Sequence, residues 1–444
     1  MKDTIQKLIQ EKKFRELRTT IDRMYVADIA ELFEELQLET IIVIFRLMSK
    51  DKAVETFSYL EPEHQKYIID SISDRDIPNI INGMFIDDTV DFLEEMPAGV
   101  VNRVLKLTDE ETRKTLNQFL AYPEYSAGSL MTIEMVALNK NMTVEKALDF
   151  IKQNGVDKET INNCYVTNQT RNLEGTVSIR KLILSEKNVL IQDIMHTDII
   201  KVNTLDDQGI VVNLFKKYDY TVLPVVDSEN CLVGIITIDD IMDVIEQENT
   251  EDFMIMAAVT PSDDVYIKTP VLKLVKNRVI WLMILMISAT FTGMIIRHFS
   301  SVLESMVILA SFIPMLMDTG GNSGTQASTM CIRSIALGEL EIKDLGKVLW
   351  LEFRVSSLIG LILASFNFVR IIIFTPAGLL VALVVCTTLY FVVVVAKMLG
   401  CAMPLLAKKV GLDPAVMSTP LITTMVDALS LTLFFTLSCL ILHI

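Results

Sequence analysis

Between residues 2 and 122, apolar side chains recur three and four positions apart in short runs such as IAELFEELQ, TIIVIFRLM, AVETFSYL and TVDFLEEMP. Polar breaks and Pro62, Pro78 and Pro97 separate the runs. A helix with one apolar stripe buries one face only, so the pattern predicts a wound, stacked array of small helices whose Leu, Phe and Ile stripes form the core. Beyond Tyr122 the period changes and one plan is used twice. A helix near 144–153, a strand CYVTNQ, a turn RNLEG, a strand TVSI and a helix from Arg180 come first. A helix near 207–218, a strand TVLPVVD, a turn SENCLVG, a strand IITI and a helix from Asp239 repeat the order. After the basic cluster Lys268, Lys273, Lys276 and Arg278 the polar face disappears. Apolar runs near 279–296, 302–337, 348–369, 371–403 and 417–442 are each long enough to cross a hydrocarbon core about 30 Å thick.

The repeated plan, with LMTIEMVALNKNMTVEKAL matched by IMHTDIIKVNTLDDQGIVV, resembles a tandem of CBS domains over about 125 residues. The five apolar runs predict a multi-pass membrane protein embedded in a lipid bilayer. Arg333, Lys343, Lys347, Lys408 and Lys409 fall on the side of the basic cluster, against Arg297 and Arg370 on the other. The positive-inside rule then places the N-terminus in the cytoplasm and the C-terminus outside. The opening MKDTIQKLIQEKKFRELR lacks the apolar core and cleavage site of a signal peptide, which agrees with a cytoplasmic first half.

Charge sharpens this division. Residues 1–264 hold 27 Lys and Arg against 48 Asp and Glu, while residues 265–444 hold 13 against 8, giving net charges of −21 and +5. An acidic soluble block repels nucleic acid and attracts cations. The cysteines, Cys164, Cys231, Cys331, Cys386, Cys401 and Cys439, form no CxxC or zinc-like spacing and read as free thiols in a reducing compartment. No catalytic constellation is visible: His64, His196, His298 and His443 are isolated, and there is no Walker-type phosphate loop.

The acidic charge is concentrated. Residues 218–267 contain no Lys or Arg but hold Asp219, Asp227, Glu229, Asp239, Asp240, Asp243, Glu246, Glu248, Glu251, Asp252, Asp263 and Asp264. On a helix, Asp240 and Asp243 share a face, as do Glu248, Glu251 and Asp252. Like charges so placed destabilise a helix by about 0.2–0.5 kcal/mol per pair. Either solvent bathes this face or a divalent cation compensates it together with another acidic surface, such as that of Asp87, Asp88 and Asp91. Mg²⁺ prefers oxygen ligands and keeps several waters, so carboxylates around a hydrated ion suffice.

Two features of the apolar half stand out. Asp427 lies inside STPLITTMVDALSLTLFF, with Thr419, Thr423 and Thr424 one and two turns before it. A carboxylate in hydrocarbon costs about 2.5 kcal/mol or more, so Asp427 is expected to face protein or water as a functional group, with capping by the threonines as the alternative. Carbonyls freed by Pro420 are expected to add oxygen ligands. The run PMLMDTGGNSGTQAST interrupts the second span, and predicts either irregular backbone beside a water-filled path or a close helix crossing at Gly320, Gly321 and Gly324. Glu304 is expected at the interface. Glu352 and Arg354 are expected to pair across helices or lie near the cytoplasmic surface, without an ion.

The order of these parts, with PMLMDTGGNSGTQAST and GLDPAVMSTPLITTMVD, resembles the MgtE family of bacterial Mg²⁺ channels over essentially the whole chain. The implied architecture is a helical N-domain (1–123), CBS domains (124–185 and 186–245), an acidic connecting or plug helix (246–270) and a transmembrane domain (271–444). Its five helices are expected near 277–299, 302–337, 346–369, 371–404 and 414–443. The resemblance implies a homodimer in the cell inner membrane, with one pore lined largely by the second and fifth spans. It also implies closure of that pore when Mg²⁺ holds the cytoplasmic domains together. Asp427 matches the pore aspartate, with Thr423 one turn before it; Thr419 stands where some members have Asn. Asp413 matches an acidic residue at the cytoplasmic mouth. Asp240, Asp243, Glu248, Glu251 and Asp252 match plug-side and CBS positions, Asp219 a CBS ligand, and Glu55, Asp87 and Asp91 N-domain ligands. Gly209 falls where a CBS carboxylate is expected, leaving Asp206 and Asp207 as its neighbours.

Three functions fit. A Mg²⁺-gated Mg²⁺ channel accounts for both acidic clusters and for Asp427, with Mn²⁺, Co²⁺ and Ni²⁺ as further ions. An ion-coupled secondary divalent-cation transporter accounts for the membrane features. A membrane-tethered nucleotide sensor accounts for the CBS pair, where Ser178, Thr237 and Asp240 stand where such domains hold ribose or phosphate, ATP being the nucleotide considered.

Overall fold

The computed structural model describes residues 2–262, 266–267, 269–375, 378–417 and 419–443, apart from the side chains of Asp3 and Thr419. The acidic and basic positions Asp263, Asp264 and Lys268 singled out in the sequence lie outside the described residues. The chain divides into two compact units, Met1–Ile245 and Glu246–Ile444.

The first unit opens with ten short helices between Lys2 and Phe119. They pack on second neighbours: Val26–Glu34 lies on Lys50–Ser58, that on Ile77–Ile81, and that on Ala98–Leu107. Such stacking is what single-faced segments require. Phe57 anchors the core, its ring 5.2 Å from Phe92 and 6.4 Å from Phe45, both edge-on. Helix α1 (Ile86–Glu94) buries Ile86, Val90, Phe92 and Leu93, and with them the carboxylate-bearing Asp87.

Two three-stranded sheets follow. In the first, β1 (Ala137–Asn139) runs parallel to β2 (Asn163–Thr167), which pairs antiparallel with β3 (Leu173–Ser178). In the second, β4 (Val202–Asn203), β5 (Val222–Val226) and β6 (Leu232–Thr237) repeat this order. Both copies slip register at the same place, between Val166 and Thr167 and between Val225 and Val226. The two turns lie side by side, with Leu173 N donating to Asn230 O and Leu232 N to Arg171 O. At Gly209, where a carboxylate was expected, the amide caps its helix by donating to Asp207 Oδ1 at 2.9 Å. Asp206 is likewise engaged locally, accepting from Asn203 N at 2.7 Å.

Helix α2 (Ile238–Met256) runs without a break across the expected boundary at 246, which is also where the two compact units divide. No Pro or Gly interrupts residues 238–256, so nothing ends the helix earlier.

The second unit is built on α3 (Val271–His298), α4 (Ile313–Ala336), α5 (Leu345–Phe374), α6 (Leu379–Val410) and α7 (Thr419–Leu442). Helix α6 is central, packed on α4, α5 and α7. Among the described residues, four helical segments, Val271–His298, Ile342–Phe374, Leu379–Val410 and Pro414–Leu442, are long and apolar enough to cross a membrane. Helix α4, with Asp318, Asn322 and Gln326, is not among them.

Three expectations are corrected here. The run 302–337 is not one helix: Ser300–Ser305 and the 3₁₀ segment Val307–Phe312 precede α4, whose second residue is Pro314, a favoured helix-start position. The glycine-rich run is unbroken α-helix, which excludes irregular backbone and leaves the close crossing. A Cβ on Gly400 of α6 would lie 2.3 Å from Gly324 O, and one on Gly320 would lie 2.7 Å from Val392 Cγ1. Finally, residues 371–374 belong to α5 rather than to the fourth span. The chain turns before α6 at Gly378, whose φ of +77° favours glycine.

Candidate cation sites

In the first unit, helix α1 and the start of α2 bring carboxylates together. A cavity of about 820 Å³ is lined by Glu55, Asp87, Asp88, Glu159, Asp239, Asp240 and Asp243, and no Lys or Arg lines it among the described residues. Asp87 is 8% exposed, and its Oδ1 accepts from Asp88 N at 3.0 Å. Asp240 Oδ2 accepts from the Thr237 hydroxyl at 2.7 Å.

Burial dominates the electrostatics, and like charges add to it. It pushes Asp87 up to about 9, with Asp240 and Asp88 contributing. It pushes Asp91 to about 7, with Asp240 next, and Glu159 to about 7, with Asp239 and Asp240 next. Asp88 rises to about 6 through burial and then Asp239. Asp240 also rises to about 6 through burial, against the opposing Thr237 bond. Near neutral pH this site retains protons that a cation would displace. Among the described residues, no group of three His, Cys, Asp or Glu side chains is close enough to hold a metal ion directly.

The structure brings Asp87, Asp91, Asp240, Asp243 and Glu55 into one region, but not Asp219. That residue is exposed and ends the helix Gln208–Tyr218 in a left-handed conformation, φ +52°. Ser178 caps its helix, accepting from Lys181 N at 3.2 Å, separately from the Thr237–Asp240 pair. Glu159 and Asp239 were not singled out as ligands by sequence, because only the fold brings residue 159 beside α2.

In the second unit, Asp252 of α2 is pushed up to about 6 by burial first, then by Asp413, Glu248 and Glu251. Asp413 Oδ1 accepts from Ala415 N at 2.8 Å. Asp252 and Asp413 therefore act on one another although 161 positions separate them in sequence.

Helices α4 and α7 run antiparallel at close quarters. A Cβ on Gly320 would lie 2.9 Å from Ser430 Oγ, on Gly321 3.0 Å from Thr423 Cγ2, and on Gly324 2.7 Å from Ile422 Cγ2. One turn back along α4 and one turn on along α7 from the Gly321–Thr423 contact stand Asp318 and Asp427. Asp318 is the residue whose charge acts on Asp427. Asp427 Oδ1 is buried and has no hydrogen-bond partner among the described residues. Thr424 is occupied elsewhere, donating to Pro420 O at 2.7 Å. Pro420 is the second residue of α7, where a missing N–H breaks no helical bond, so it frees no carbonyl as was expected. The Thr419 side chain lies outside the described residues. Asp318 went unassigned in the sequence because the glycines beside it dominated that run. Among the described residues neither Glu352 nor Arg354 forms an ion pair: the Arg354 guanidinium lies 5.9 Å from the Trp350 ring centre, and Glu352 Oε2 has no hydrogen-bond partner there.

Family models match three regions. Residues 24–125 match the MgtE intracellular N domain, residues 127–186 and 191–247 the CBS domain, and residues 313–437 the divalent cation transporter family MgtE. The chain is 37% identical over 444 residues to the magnesium transporter MgtE of Thermus thermophilus, covering 99% of this chain and 98% of that protein. It is 32% identical over 436 residues to the magnesium transporter MgtE of Bacillus subtilis, covering 98% and 96%. It also resembles a crystal structure of the cytosolic domain of the Mg²⁺ channel MgtE in complex with ATP. That match has a TM-score of 0.53 at 36% identity, covering 55% of this chain and 100% of that one. Similarity along nearly the full length, joined to an acidic cytosolic-type half and an apolar helical half, makes this chain a member of the MgtE family of magnesium transporters.

Proposed function

We propose that this protein is a Mg²⁺-selective channel for Mg²⁺ uptake that closes when Mg²⁺ binds its own acidic half. The observation that carries the reading is Asp427 Oδ1, a buried atom on an apolar helix with no hydrogen-bond partner among the described residues. A carboxylate left unsatisfied at that depth is an incomplete site, and a hydrated divalent cation would complete it through its waters. Thr423 stands one turn before it, with Thr419 a further turn away, and Asp413 acts at the mouth with Asp252. The membrane potential, worth about 2.3 kcal/mol per charge per 100 mV, drives entry without ATP.

Gating follows from the acidic cavity. Without Mg²⁺, the carboxylates of Asp87, Asp91, Asp240 and Asp243 repel one another; with Mg²⁺ they are bridged. Helix α2 carries Asp240 and Asp243 near its start and Glu248, Glu251 and Asp252 towards its end, so one helix holds residues of both acidic clusters. A ligand shifts such an equilibrium only by its preference for one state, and several weak sites acting together give a steep response. The protein is read as a homodimer in the cell inner membrane, with ATP at the CBS pair as the nucleotide that a relative's cytosolic domain holds. Replacing Asp427 by Ala should abolish Mg²⁺ current while leaving the protein folded. Undiminished current would remove the pore assignment.

A further inference from the structure

Helix α6 is apolar along most of its length yet buries a lysine. Lys397 is 5% exposed, and among the described residues its one hydrogen bond is donated by Nζ to Gln326 Oε1 of α4, at 3.4 Å. Glu352 of α5 and Lys397 both act electrostatically on Cys401, but no ion pair joins them, and Glu352 Oε2 stays without a hydrogen-bond partner. A charge buried in a membrane-type bundle without a counter-charge is a functional candidate by default.

Its geometry constrains Gln326. An ammonium has three donors and no acceptor, so the glutamine presents its carbonyl oxygen to Lys397 and turns its NH₂ group elsewhere. Gln326 itself is exposed and belongs to a polar row, Asp318, Asn322, Gln326 and Thr329, that helical spacing sets on one side of α4. The glycines Gly320, Gly321 and Gly324 occupy the packed side. Lys397 thus stands behind the polar row and reaches it through Gln326.

We propose that Lys397 is a positioning residue for ion passage, which turns the carbonyl oxygen of Gln326 away from the polar row and sets a fixed positive charge behind it. The proposal rests on the reading of that row as part of the Mg²⁺ path. Conduction requires binding strong enough to admit an ion and weak enough to release it. The inward-turned oxygen and the ammonium both weaken cation binding at this level, and so favour release.

The test is initial Mg²⁺ influx, as a function of Mg²⁺ concentration, into vesicles holding the full-length protein and a chelator. Lys397→Met should lower the half-saturating Mg²⁺ concentration by about threefold or more and reduce maximal influx, because removing a nearby fixed charge raises cation occupancy. Lys397→Arg should leave both near the original values. If Lys397→Met fails to fold, Lys397→Gln removes the charge while keeping a donor for Gln326, and should lower half-saturation in the same way. Unchanged half-saturation in the neutral variants, with influx abolished in Asp427→Ala, would overturn the role of Lys397 and leave the pore reading standing. Equal loss of maximal influx in the Met and Arg variants, at unchanged half-saturation, would show packing alone and also overturn it. Normal influx in Asp427→Ala would instead overturn the pore reading, and this proposal with it.

Discussion

At the scale of single residues, burial in the acidic cavity favours protonated carboxylates, and a cation would compete with those protons. Asp87, held at about 9 by burial and by Asp240 and Asp88, keeps its proton in the folded state where the unfolded chain has lost it. Its contribution to stability is therefore greatest near pH 4 and declines as pH rises towards 9. In the absence of divalent cations, the protection of α1 amides relative to their intrinsic exchange should fall between pH 5 and pH 8, and Mg²⁺ should restore it most strongly at the upper end. Asp87→Asn should flatten this dependence and protect α1 at pH 8 by about 1–3 kcal/mol in the absence of Mg²⁺, on the scale of a buried carboxylate's shift. Unaltered pH dependence in that variant would place the penalty elsewhere. Family resemblance led to the expectation of Glu55, Asp87 and Asp91 as ligands, and the fold places Glu55 and Asp87 on one cavity with Asp91 close to Asp240. Glu159 was not expected, because a carboxylate at the end of a loop bears no local mark of the helices it will face.

Elements were read with uneven success, for reasons that differ between the halves. The repeated strand–turn–strand–helix plan was legible because alternating Val and Ile runs bounded by turn residues appear twice, and the sheets repeat even the register slip beside Val166 and Val225. The row of glycines in α4 was ambiguous, since Gly weakens an isolated helix and also permits close crossing. Only the neighbours decide, and here Gly400 and Gly324 meet backbone to backbone. Gly400→Ala places a Cβ 2.3 Å from Gly324 O, where backbone must move. The variant should lose about 1–3 kcal/mol of stability, the scale of overpacking, measurable as a lower unfolding midpoint in detergent. An unchanged midpoint would mean that α4 and α6 separate at no cost. Lys397 escaped the sequence reading because a lone lysine in a long apolar run resembles an interfacial residue until its burial is known.

On the scale of the whole molecule, one continuous helix, α2, carries carboxylates of both acidic clusters, and Oδ1 of the half-buried Asp427 in α7 has no hydrogen-bond partner among the described residues. Charge asymmetry between the halves announced a cation-attracting domain before a membrane domain, but it did not distinguish a channel from a transporter. That distinction depends on motion and on ion flow, which neither periodicity nor packing encodes. The most direct measurement is patch recording from the full-length protein, with Mg²⁺ varied on the cytoplasmic face. The account predicts unitary Mg²⁺ currents whose open probability falls steeply as cytoplasmic Mg²⁺ rises. Saturable flux without unitary openings, or openings indifferent to cytoplasmic Mg²⁺, would contradict it.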